Sequence, residues 1–225
     1  MSVFVTGTDT GVGKTLVSAT LLAALNANGV RAAGMKPIAS GCIETADGWR
    51  NEDAMMLLAQ SAGAPAYASV NPYALPEAVA PHLAAASSGV EIRLDALLAA
   101  FAALSTNAQF VVVEGVGGWA VPFASTLMQA DLVRALKLPV VLVVGLRLGC
   151  INHALLSARA VISDGCQLAG WIGNRIDPAM ARAEENLATL RERLPAPCLG
   201  VLAHAGTRDP HALAVQLQSA AAALV

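Results

Sequence analysis

Val3-Phe4-Val5-Thr6 is a run of β-branched and aromatic residues, Leu16 opens an Ala/Leu-rich run, and Gly7, Gly11 and Gly13 lie between them. That order dictates a strand, a tight turn and a helix at the head of the chain. The alternation continues to the end. Strands are expected at Val3–Thr6, Ala32–Lys36, Phe110–Glu114, Val140–Val144, Ala169–Ile172 and Leu199–Leu202. Helices are expected at Thr15–Asn28, Asp53–Ala62, Leu94–Ser105, Thr126–Leu136, Asn152–Asp164, Ala179–Leu194 and His211–Leu224. Short, continuously apolar strands separated by helices form a parallel sheet covered on both faces. The fold class expected is α/β: one doubly wound domain over residues 1–225, with a mostly parallel sheet. Residues 64–93 fit least well, because Pro65, Pro72, Pro76 and Pro81 interrupt any period. A long irregular excursion of this kind reads as a lid or an interface.

Composition narrows the function classes. The chain is 56% hydrophobic and 13% charged, which fits a large core, yet no apolar run reaches the roughly 18 residues of a membrane span. No basic, cleavable leader is visible at Met1-Ser2-Val3-Phe4-Val5. The four cysteines form no C-x-x-C pair and read as reduced thiols, so a cytoplasmic setting is expected. A net charge of −2 without a basic stripe argues against nucleic acid as partner. The four histidines show no metal-ligand spacing, and there is no G-x-S-x-G elbow.

The turn reads Thr6-Gly7-Thr8-Asp9-Thr10-Gly11-Val12-Gly13-Lys14-Thr15. Strand before and helix after is the context of a P-loop, whose backbone N–H groups surround phosphate oxygens at a helix N-terminus. Lys14 would reach the β- and γ-phosphates, and the Thr15 hydroxyl would ligate Mg²⁺. The strict pattern wants glycine where this chain has Thr8, so a glycine-rich turn with a solvated lysine is the competing reading.

Three further charged residues fall at predicted strand or helix ends. Glu114 closes a buried strand, the edge where open α/β sheets bind ligands, and reads as a metal carboxylate or as a cap on a neighbouring helix. The following Gly115-Val116-Gly117-Gly118-Trp119-Ala120 matches the dinucleotide fingerprint only formally, because Pro122 follows and no acidic partner does. Lys36 ends another strand, where a cation is costly unless it meets an anion; the alternative is a surface lysine. Asp53 begins a helix, either as a metal ligand or as a complement to the dipole.

Jointly these motifs resemble dethiobiotin synthetases over nearly the whole chain. The carriers are the loop at 6–15, Lys36-Pro37-Ile38-Ala39-Ser40-Gly41, Asn51-Glu52-Asp53-Ala54, Asn71-Pro72-Tyr73, Ala80-Pro81-His82, Val113-Glu114-Gly115-Val116-Gly117-Gly118-Trp119 and Leu148-Gly149-Cys150-Ile151-Asn152-His153. The resemblance implies a homodimeric ligase that turns 7,8-diaminononanoate, CO₂ and ATP into dethiobiotin, ADP and phosphate. It implies Mg²⁺ at Thr15, Asp53 and Glu114, and catalysis by Lys14 and Lys36. Nucleotide contacts are implied for Gly11, Val12, Gly13, Lys14, Thr15, Leu16, Asp53, Glu114, Gly115, Val116, Gly117, Asn174 and Arg175. Substrate contacts are implied for Thr10, Lys36, Ser40, Gly117, Cys150 and Asn152, with the segment at 148–152 serving the neighbouring subunit. Leu202-Ala203-His204-Ala205 departs from the family's proline-containing loop and leaves nucleotide preference open. The rival class is a dimeric P-loop switch ATPase of the partitioning or metal-insertase type. Many of those carry a lysine early in the loop, where this chain has Asp9.

Overall fold

A computed structural model describes residues 1–204 and 207–225. In chain order the elements are β1 (Ser2–Gly7), α1 (Lys14–Ala27), β2 (Ala32–Met35), β3 (Ile38–Ser40), β4 (Ile43–Thr45), β5 (Gly48–Arg50), α2 (Glu52–Ala59), α3 (Tyr67–Val70), β6 (Tyr73–Leu75), α4 (Pro81–Ser87), α5 (Leu94–Asn107) and β7 (Phe110–Glu114). They continue with α6 (Gln129–Leu136), β8 (Val140–Gly145), α7 (Cys150–Ser163), β9 (Leu168–Asn174), α8 (Ala183–Arg193), β10 (Cys198–Leu202), α9 (Pro210–Leu213), a 3₁₀ turn (Ala214–Leu217) and α10 (Gln218–Leu224).

Six strands form one parallel sheet in the order β10-β9-β8-β1-β7-β2. The chain works outward from β1 to β2, returns through β7, and then crosses to β8 on the other side. Loops diverge at such a reversal and leave a crevice at the carboxyl ends of the strands. β1, β7 and β8 are buried along almost their whole length, as Val/Leu-rich strands covered on both faces must be. Helix α1 buries Val17 through Leu25 without interruption, as a helix apolar all round does. Among the described residues no helix is long and apolar enough to cross a membrane.

Register sets the site. Val5 pairs with Glu114, and Met35 pairs with Val113. One step further along, Lys36 comes level with Glu114. β2 stops at Met35, one residue short of the expected end, because the Lys36 N–H bonds the Val70 carbonyl at 2.7 Å.

Several boundaries differ from expectation for local reasons. α6 starts at Gln129, not Thr126, where the Asp131 carboxylate accepts the Met128 N–H at 2.6 Å. The helix expected from Ala179 begins only at Ala183, after Arg182 in the left-handed region at φ 55°. The expected His211–Leu224 helix is split by the 3₁₀ turn and begins at Pro210, capped by Asp209, whose carboxylate accepts the His211 N–H. The excursion at 64–93 holds α3, β6 and α4, with β6 pairing in parallel with β3. The β4–β5 hairpin was not expected, although Asp47-Gly48 carries a hairpin signal.

Candidate functional site

The phosphate loop leaves β1 at Gly7 and enters α1 at Lys14. Gly13 has φ 86°, and a Cβ there would lie 2.1 Å from Asn174 Nδ2, so only glycine fits. At Gly7 a Cβ would meet Val12 Cγ2 at 2.7 Å. The close approach that the strict motif assigns one place later is thus met at Gly7, and Thr8 is no obstacle to the turn. Asp9 organises the rest: its carboxylate accepts the Thr10 N–H at 2.7 Å and Arg147 Nη2 at 2.8 Å, and its carbonyl accepts Lys14 Nζ at 3.0 Å.

Lys36, Asp53, Glu114 and Thr15 converge beside the loop. Lys36 Nζ lies 2.6 Å from Glu114 Oε1 and 2.9 Å from Asp53 Oδ2, and the Thr15 hydroxyl donates to Glu114 Oε1 at 2.8 Å. Lys36 is therefore no surface lysine: it and Glu114 are buried. Burial by itself would lower the Lys36 pKa, but Glu114 and Asp53 outweigh it and hold the ammonium above its ordinary value. For Asp53 burial pushes upward, and the Lys36 charge wins and holds the carboxyl below its usual range. Burial, then the Lys36 charge, lowers Lys14 to about 8.

These groups line a cleft of about 910 Å³. Thr10, Gly11, Gly13, Lys14, Thr15, Leu16, Lys36, Ser40, Asp53, Glu114, Val116 and Gly117 all face it. Ser40 Oγ is buried with no hydrogen-bond partner among the described residues, as is Glu114 Oε2. Sequence reasoning missed Met56, Val79, Ala80, Val121 and Arg208 on the same wall. Of these only Ala80 falls in a quoted motif, Ala80-Pro81-His82; the others carry no motif signal. Asn51, also missed, was legible as an N-cap: it precedes two acids, and its side chain accepts the Ala54 N–H.

Other expected site residues lie elsewhere. Val12 is buried behind the loop, and Asn174 donates its amide to the Val12 carbonyl at 2.9 Å, so neither lines the cleft. The Arg175 guanidinium pairs with Glu184. Gly115 offers its carbonyl to Lys36 at 3.4 Å. Cys150 and Asn152 begin α7 outside the cleft, Cys150 buried and Asn152 exposed, next to Leu148 at 91% exposure. The departure at Leu202-Ala203-His204-Ala205 runs into residues outside those described; of its described part, His204 Nδ1 lies 3.0 Å from the Arg175 carbonyl.

Metal fit follows from the donor set. Among the described residues no cluster of three or more His, Cys, Asp or Glu side chains could hold a metal ion. Two carboxylates and a hydroxyl beside a phosphate loop suit Mg²⁺, which takes few protein ligands and completes its shell with water and phosphate. The unpartnered buried Glu114 Oε2 is an acceptor of the right kind.

Comparison with known proteins gives the family. The sequence matches the AAA domain family over residues 1–210. It is 63% identical over 197 residues, 88% of each chain, to the ATP-dependent dethiobiotin synthetase BioD of Xanthomonas euvesicatoria. It is 61% identical over 201 residues, 89% of each chain, to its namesake in Xylella fastidiosa. Among solved structures, the MinD cell division protein of Aquifex aeolicus aligns with TM-score 0.60 at 16% identity, over 98% of this chain and 95% of that one. That likeness, at such low identity, speaks for the fold alone. Matched in sequence along 88% of both chains, this protein belongs to the ATP-dependent dethiobiotin synthetase family.

Proposed function

We propose that this chain is an ATP- and Mg²⁺-dependent ligase that carboxylates 7,8-diaminononanoate with CO₂ and closes the ureido ring of dethiobiotin, releasing ADP and phosphate. The observation that carries this reading is the buried Lys36–Glu114–Asp53 cluster opening into the same cleft as Lys14 and Thr15. A bare nucleotide-binding module has no use for a second buried lysine or for the unpartnered Ser40 hydroxyl.

One substrate amine combines with CO₂ as a carbamate and loses a proton. The carbamate oxygen attacks the γ-phosphorus, and ADP leaves. The second amine then attacks the carbonyl carbon of the mixed anhydride, loses its proton and expels phosphate. Such chemistry needs positioning and stabilisation of developing charge more than covalent help from the protein. Lys14 and Lys36 supply that charge, Thr10, Ser40 and Gly117 hold the diamine, and the nucleotide rests along Gly11–Leu16 and Gly115–Gly117, with Asn174 and Arg175 behind. Thr15, Asp53 and Glu114 would hold Mg²⁺, which when bound neutralises charge on the phosphate oxygens.

The working unit in this reading is a homodimer. The start of α7 presents backbone N–H groups suited to a carboxylate, and Cys150 and Asn152 serve the neighbouring subunit's cleft. The switch-ATPase alternative finds Asp9 in the loop, committed to Arg147, where many such proteins carry lysine. The deciding experiment measures ADP release. It should require both a 7,8-diamino acid and bicarbonate; turnover without them, stimulated by DNA or a protein, would establish the switch instead.

A further inference from the structure

The excursion at 64–93 holds both ends of the buried cluster. The Lys36 N–H donates to the Val70 carbonyl at 2.7 Å, and its carbonyl accepts Asn71 Nδ2, also at 2.7 Å. Asn71 Oδ1 accepts the Tyr67 hydroxyl at 3.0 Å, and Tyr67 Oη accepts the Asn51 N–H at 2.9 Å. Asn51 caps α2, and Asp53 lies on the first turn of that helix. The Asp53 carboxylate returns to Lys36 Nζ at 2.9 Å. The path therefore closes on itself: Lys36, Asn71, Tyr67, Asn51, Asp53, Lys36.

A closed circuit fixes what an open chain leaves adjustable. Lys36, Asn51 and Asn71 are all buried, so each missing bond would strand a polar group away from water. Tyr67 is the member that donates and accepts through a single atom, as a phenolic hydroxyl can. Arg50 lies over its ring, 4.2 Å from the centroid. The hydroxyl thus spaces the strand end that carries Lys36 from the helix turn that carries Asp53. We infer that Tyr67 is a positioning residue for the Lys36–Asp53 pair, acting on phosphoryl transfer without touching substrate. This assignment rests on the ligase reading above.

The test is Tyr67→Phe beside Tyr73→Phe. Tyr73 lies in the same excursion, and its hydroxyl accepts the Arg93 N–H at 3.0 Å, off the circuit. Tyr67→Phe should fold, lower kcat roughly tenfold, equivalent to about 1.4 kcal/mol of barrier, and leave KM for ATP within about twofold. The Mg²⁺ concentration for half-maximal turnover should rise severalfold. In the metal-free protein, amide hydrogens at 51–54 should exchange faster than in wild type. Tyr73→Phe should match wild type in all four measurements. Faster exchange with kcat and the Mg²⁺ requirement unchanged would reduce Tyr67 to a structural bond and overturn the assignment. Equal losses in the two variants, or a Tyr67→Phe protein without a cooperative melt, would overturn it too. An inactive wild type would sink the ligase reading and the assignment together; an active wild type with an unaffected Tyr67→Phe sinks the assignment alone.

Discussion

Asp9 and Arg147, 138 residues apart, meet at 2.8 Å and join the phosphate loop to the segment ahead of α7. Both side chains are about half exposed, so solvent screens the attraction. Such pairs contribute at most about 1 kcal/mol. Arg147→Ala should therefore lower stability by no more than this, with the difference from wild type shrinking in high salt. A larger loss in urea titrations would mean that the pair supports the loop in some way beyond Coulomb attraction.

Lys36 should behave oppositely. Removing one partner of a buried pair strands the other charge, at a cost of about 3–5 kcal/mol. Lys36→Met should lose stability of that order. Its folded fraction should also turn over roughly 10²–10³-fold more slowly, as loss of a donor to developing charge implies. ATP affinity, read by calorimetry, should change little. Near-normal turnover would remove Lys36 from the reaction.

Lys14 makes stability depend on alkaline pH. Its folded pKa is about 8 against an ordinary 10.5, so between those values the unfolded chain binds more protons than the folded one. Stability then rises with pH across that window, while below about 8 both states carry the charge and the burial penalty is felt in full. In nucleotide-free protein, the urea midpoint should climb more from about pH 7.5 to about pH 9.5 for wild type than for Lys14→Met. Parallel curves for the two proteins would contradict the lowered value.

Asp53→Asn should raise the Mg²⁺ requirement and depress turnover, because carboxylates supply the few protein ligands of phosphate-bound Mg²⁺. The fold should survive, since Asn51 still caps α2. An unchanged Mg²⁺ profile would leave Asp53 its ion pair with Lys36 and its place beside the helix dipole, and no part in holding metal.

Mixed dimers test the shared site. Lys36→Ala and Asn152→Ala should each be nearly inactive alone. After random subunit exchange about half the dimers are mixed, and each holds one doubly damaged site and one intact site, so roughly a quarter of all sites should recover. Confirmed exchange without recovery would show that Asn152 acts within its own subunit.

The sheet was legible in the sequence because its strands announce themselves: the run Phe110–Glu114 has the bounds read from its apolar residues. Burial of both faces leaves little choice of residue there. The loop was legible for the opposite reason, since glycine and lysine at those steps serve a single geometry. The partnership of Lys36 with Asp53 and Glu114 was not. From sequence the lysine sought an anion and the acids sought a metal; the register of β2 against β7 joins Lys36 to Glu114, and the start of α2 brings in Asp53. Tyr67, and the part played by Asn71, were hidden more deeply, because a proline-broken stretch has no period and the bonds to Asn51 and Lys36 close over distances that no local pattern encodes.

The Val12 carbonyl, held by Asn174 from 162 residues away, has a consequence for how the nucleotide is met. In a trans peptide the C=O of one residue and the N–H of the next point in opposite directions. Anchoring the Val12 oxygen toward β9 therefore turns the Gly13 N–H the other way, away from Asn174. In the proposed phosphate site that donor would be aimed in advance, and association need not spend free energy on ordering it.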